Sequence, residues 1–220
     1  MLKRYYAQSG DQTEVKVDGF IVDIVRGGLL IEVQTRNLAA IRRKLHTLLE
    51  NHPVRLVYPI AAEKWIVRVT ASGQVIGRRK SPKVGRLVEL FDELVSIPDL
   101  INHPNLVFEI AMVQEEEIRS DDGRGSWRRR GQSVRDRKLL QVVETVAFEK
   151  KEDFIRFLPE KLEQPFSNAS LAHRLGVPVH AVRPMTYCLK KMGVLEQVGK
   201  RGNQLFFRIA GGVTWEKDNQ

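Results

Sequence analysis

The chain has 220 residues, 29% of them charged and 42% hydrophobic, a balance that fits a globular protein of one large or two small domains. A net charge of +9 favours an anionic partner such as nucleic acid or a membrane surface. The single Cys188 excludes an internal disulfide and a cysteine-rich metal site, and neither a spanning apolar run nor a signal-peptide core is present, so the expected location is cytoplasmic.

Leu2–Gln8 reads as a short helix ended by Ser9-Gly10-Asp11. Val17–Asn37 (VDGFIVDIVRGGLLIEVQTRN) then reads as strands Glu14–Val17, Phe20–Val25 and Leu29–Gln34, separated by turns at Asp18-Gly19 and Arg26-Gly27-Gly28. Asp23 and Glu32 interrupt apolar runs, where an unpaired carboxylate costs several kcal/mol. With Arg26-Gly27 as the turn, Asp23 faces Leu30, and Glu32 and Gln34 lie along the same face. Clustered carboxylates beside a carbonyl suit a hard divalent cation.

Asn37 should cap a helix to about Glu50, with Leu38, Ile41, Leu45, Leu48 and Leu49 as its apolar stripe and Arg42, Arg43, Lys44 and His46 facing away. Val54–Ile60 reads as a buried strand. Trp65–Val69 and Gln74–Gly77 form a hairpin turned at Ser72-Gly73, leading to a basic loop at Arg78-Arg79-Lys80. Arg86–Ile97 is expected as a helix, Leu106–Val113 as a strand, and Glu115-Glu116-Glu117 as its solvated end.

Ser120–Ser133 combines glycine, serine and charge and reads as a linker or functional loop. Its Trp127-Arg128-Arg129-Arg130 would stack on a base and fork onto phosphates. From Val134 the pattern becomes helical, with one helix carrying Leu139, Leu140, Val142, Val143 and Val146 and another carrying Phe154, Ile155, Phe157 and Leu158. Ser167-Asn168 cap a short helix, Ala169–Leu175. A second helix ends at Lys190-Lys191-Met192-Gly193, and a hairpin follows, Glu196–Val198 with Leu205–Ile209.

Two resemblances organise these parts. Asp23, then Glu32-Val33-Gln34 on the next strand, then a helix, resembles the PD-(D/E)xK nuclease superfamily over roughly Glu14–Ile60, with Gln34 where the family usually has Lys. The segment Asp136–Ile209, with SLAHRLGV and CLKKMGVLEQVGKRG, resembles a winged helix-turn-helix. Together they imply an α/β restriction-endonuclease-like mixed sheet with flanking helices, plus a C-terminal α+β winged-helix domain. The implied boundaries are 1–118, a basic linker 119–135, the winged helix 136–212 and a tail 213–220.

The nuclease resemblance implies a metal-dependent DNA endonuclease. Asp23, Glu32 and the Val33 carbonyl would hold Mg²⁺ or Mn²⁺, and Gln34 would orient the attacking water. The winged helix would place Arg183, Tyr187 and Lys190, with His180 and Thr186, in the major groove and Lys200 and Arg201 on phosphate. Pro184 requires that the second helix either start near Arg183 or kink. The alternative function is a DNA-binding or regulatory protein without catalysis, whose nuclease-like core serves dimerisation or partner contact.

Overall fold

The computed structural model describes residues 2–82, 84–127 and 131–213. Helix α1 (Leu2–Tyr6) precedes strands β1 (Gln12–Val17), β2 (Phe20–Arg26) and β3 (Leu29–Val33). Helix α2 (Leu38–Asn51) returns the chain to β4 (Val54–Val69), and β5 (Val75–Lys80) folds back on β4. A 3-10 turn (Leu87–Leu90) and α3 (Phe91–Leu94) lead to β6 (Leu106–Asp121) and β7 (Gln132–Phe148).

These strands form one mixed sheet in the order β1-β2-β3-β4-β6-β7, with β5 attached to β4. β3, β4 and β6 are mutually parallel, and the other pairings are antiparallel. An α/β architecture follows directly, because a parallel crossover needs a covering segment such as α2.

After a 3-10 turn (Lys151–Phe157), a smaller unit contains β8 (Phe166–Ser167), α4 (Asn168–Leu175), α5 (Val179–Lys191), β9 (Leu195–Arg201) and β10 (Gln204–Ile209). Its three strands pair in the order β8-β10-β9. One hydrophobic core joins this unit to the large sheet: Val182, Met185, Cys188 and Leu189 of α5 belong to the cluster that contains Phe91 and Leu94 of α3, Leu45 and Leu48 of α2, and Leu56 and Phe108 of the sheet. Asn102 Nδ2 adds a bond to Met192 O at 2.9 Å. A smaller cluster of Leu2, Ile24, Ile31, Val33, Val57, Ala111 and Val113 fills the space under α1.

Several expectations are corrected. The residues expected as a helix from Val134 form β7, paired with β6 from Phe108↔Phe148 to Asp121↔Gln132. Its apolar residues fit a helical stripe, but Val142, Val143, Thr145 and Val146 are β-branched and favour a strand once a partner edge is available. The expected linker therefore falls within a long hairpin of the sheet, its ends paired as Ser120↔Ser133 and Asp121↔Gln132, and is not a link between domains; the smaller unit begins only after Phe148. Glu115, Glu116 and Glu117 lie inside β6, and Arg78, Arg79 and Lys80 inside β5. The expected helix Arg86–Ile97 reduces to the 3-10 turn and α3. The segment around Phe154 is likewise a 3-10 turn.

Candidate functional site

The β2–β3 turn fixes the carboxylate pair. Arg26 pairs with Leu29, Val25 with Leu30 and Ile24 with Ile31, so the turn residues are Gly27 and Gly28, at φ 51° and 92°. Two consecutive positive φ values suit a tight hairpin and favour glycine. Relative to a turn at Arg26-Gly27, each strand shifts by one residue and the facing parity survives.

The ladder stops at Ile24↔Ile31, and the side chains of the next pair take over its hydrogen bonds. Asp23 N–H donates to Glu32 Oε1 at 3.2 Å, and Val33 N–H donates to Asp23 Oδ2 at 2.9 Å. On the other side of β2, the β1 pairing skips from Thr13↔Ile24 to Val15↔Val22, and the intervening Glu14 sits at φ 54°. The acids thus occupy a local opening in the sheet. Asp23 retains 9% and Glu32 4% of its accessible surface, so both charges need compensation inside the protein.

Two lysines supply it. Lys3 Nζ of α1 lies 2.6 Å from Asp23 Oδ1. Lys44 Nζ of α2 bonds Glu32 Oε1 and donates to Ile21 O at 2.5 Å. Contact with Asp23 raises the Lys3 pKa. Burial pushes the Glu32 carboxyl above its ordinary value, aided by the Asp23 charge and opposed by Lys44. Neither lysine was expected here. Lys44 was assigned to the outward face of α2, yet it stands three residues after Ile41 and four before Leu48, on the border of the apolar stripe. That spacing could have revealed it. Lys3 carried no comparable signal.

Gln34 is not brought to the acids. Its Nε2 donates to the carbonyls of Arg36 at 2.6 Å and Asn37 at 3.2 Å, closing the loop into α2. Asn37 occupies the N-cap at φ 56° without a side-chain bond, and Leu38 N–H instead donates to Glu93 Oε2 at 2.9 Å. Val33 donates its N–H to Asp23 Oδ2. A divalent ion does not fit this arrangement. Both Asp23 oxygens and Glu32 Oε1 are engaged by ammonium or backbone N–H groups, and among the described residues no group of at least three His, Cys, Asp or Glu is placed to hold a metal. Mg²⁺ prefers near-octahedral oxygen coordination.

The second candidate surface lies on the smaller unit. Ser167 caps α4: it accepts from Ser170 N–H at 3.2 Å, while Ser167 N–H donates to Ser170 Oγ at 2.9 Å. Gly176, left-handed at φ 64°, ends α4, and α5 begins directly behind Pro178. α5 therefore starts well before Arg183 and contains Pro184 in its interior, which leaves the His180 carbonyl without its helical donor. Val182, Met185, Cys188 and Leu189 face the core, whereas His180, Arg183 and Tyr187 are exposed and Lys190 is half-buried along the opposite side. Thr186 belongs to the buried side: its Oγ1 donates to Asn168 Oδ1 at 2.8 Å and so ties α5 to α4. Lys190 Nζ donates to Gln197 Oε1 at 3.3 Å, linking α5 to β9. Lys200 and Arg201 end β9 and are exposed beside the Gly202-Asn203 turn.

Trp127, 83% exposed, sits on the β6–β7 connection, and Arg128, Arg129 and Arg130 lie outside the described residues. The smaller unit attaches at the other end of that hairpin, where Phe148 packs on Phe154 at 4.6 Å.

The family described as "Domain of unknown function (DUF8091)" matches residues 1–149, a span that ends one residue after β7. An uncharacterised protein of Treponema pallidum (strain Nichols) is 33% identical over 208 residues, covering 94% of this chain and 82% of its own length. No solved structure matches the chain.

Proposed function

The chain belongs to the DUF8091 family, and for it we propose a DNA-binding protein that does not cut, in which a C-terminal winged helix-turn-helix grips the duplex. The observation that carries this reading is the outward side of α5, where His180, Arg183, Tyr187 and Lys190 follow helical spacing beside the cationic hairpin tip at Lys200 and Arg201. α5 enters the major groove and the tip takes phosphate. Burial of its inner side against α3 makes the helix a rigid reader. The net charge of +9 supplies sequence-independent attraction. In this reading Asp23 and Glu32, neutralised by Lys3 and Lys44, are a structural clasp that joins α1 and α2 to a frayed point in the sheet.

The test is duplex binding across a salt series, with wild type beside Lys200→Ala/Arg201→Ala and Arg183→Ala. Loss of two phosphate contacts should flatten the log–log salt slope by about 2. Arg183→Ala should weaken a preferred sequence more than random DNA. An unchanged slope removes the hairpin from the interface. Mg²⁺- or Mn²⁺-dependent cleavage that disappears in Asp23→Ala would replace this proposal with the metal-dependent nuclease.

A further inference from the structure

Between Tyr58 and Lys64 one edge of β4 has no strand beside it: β3 pairs only through Val57, and β5 pairs from Trp65 onward. The sheet is split just past the carboxyl end of β3. The split opens a cavity of about 550 Å³, within the range of small-molecule sites. Its outer wall is pinned in place. Gly85 N–H donates to Ala61 O at 3.0 Å, and a Cβ on Gly85 would come 2.8 Å from Ile60 Cγ2, so only glycine lets the loop lie this close to β4. Neither Asp23 nor Glu32 lines this cavity.

The lining combines two chemistries. Leu2, Ile60, Leu90, Val113 and Leu139 make an apolar surface. Lys64, Arg86 and Arg137 bring three cations. Lys64 lies 2.9 Å from Glu115, which also lines the cavity, and 3.5 Å from Glu117, which is 4% exposed and lies 3.3 Å from Arg137. Arg86 is exposed and has no ion-pair partner among the described residues. Tyr58 adds a phenol that burial pushes up to about 12, so it donates at neutral pH. Glu89, Asp92 and Glu93 add acceptors from the α3 side.

A purely apolar ligand would leave the exposed Arg86 unused, and a bare inorganic anion would leave the apolar surface uncovered. We propose that the cavity binds a nucleotide, with a phosphate on Arg86, Lys64 and Arg137 and the base against the apolar surface. Tyr58 and the α3 carboxylates meet the base's polar edge. The same chemistry is offered by a free mononucleotide and by one nucleotide of a bound strand. The inference rests on residues other than those of the α5 surface, so it stands or falls separately from DNA binding there.

The experiment is calorimetric titration of the full chain with a set of nucleoside monophosphates, the corresponding nucleosides and inorganic phosphate. At least one monophosphate should bind, its nucleoside and inorganic phosphate each more weakly. Arg86→Ala, an exposed position that should keep the wild-type melting temperature, should weaken the monophosphate about tenfold through loss of one charge-assisted bond. Tyr58→Phe should change the preference among bases while leaving inorganic phosphate unaffected. Competition by a short single-stranded oligonucleotide would identify a strand as the source, and its failure to compete would identify the free nucleotide; both uphold the site. Absence of binding by every monophosphate, equal affinity for inorganic phosphate, or unchanged affinity in Arg86→Ala would overturn it.

Discussion

Replacing Lys44 with Met isolates the role of the buried clasp. The Glu32 side chain is 5% and that of Lys44 15% exposed, so the substitution strands a carboxylate deprived of water. Breaking a buried pair from one side costs 3–5 kcal/mol. The lower end, about 3 kcal/mol, applies here because Asp23 N–H still donates to Glu32 Oε1. The sign of the pH dependence follows from the shift. Glu32 already has a folded pKa above its unfolded value, so the folded state holds its proton to higher pH. Removing Lys44 takes away an interaction that lowers that pKa and widens the gap. The deficit of Lys44→Met relative to wild type should therefore be complete above the variant's folded Glu32 pKa. It should shrink as pH falls from there toward the ordinary carboxylate range. Adding Glu32→Gln, which keeps an acceptor for Asp23 N–H and removes the charge, should recover most of the loss at neutral pH. Urea unfolding at a series of pH values measures all three proteins. Equal stability of wild type and Lys44→Met at neutral pH, or a deficit that persists unchanged in acid, would refute the clasp.

Ser167→Ala should destabilise the smaller unit by roughly 1–2 kcal/mol, because it removes the α4 cap and the acceptor of Gln204 Nε2 at 2.8 Å; Ser167→Thr should retain most of that stability in thermal melts. Cys188 is fully buried and its thiol is pushed up to about 12, so native protein should react with a thiol reagent only as fast as α5 opens, and rapid labelling at neutral pH would contradict its place in the core.

The carboxylate hairpin was legible because its determinants are local. Gly27-Gly28 set the turn, and apolar residues on both sides of Asp23 and Glu32 marked the acids as buried. The α4–α5 segment was legible for a similar reason: Ser167, Gly176 and Gly193 are start and stop signals that act within a few residues. β7 was not legible, since its apolar spacing suits either a helix or a strand and the decision rests on β6, whose pairing partners lie up to 40 positions away at Phe108↔Phe148. Lys3 and Lys44 show the same division. The sequence by itself required the two buried acids to find compensation, because desolvation penalises a bare carboxylate in any fold. Which groups provide it depends on how α1 and α2 meet the opened sheet edge, and only tertiary packing makes ammonium groups neighbours of acids twenty and twelve residues away along the chain.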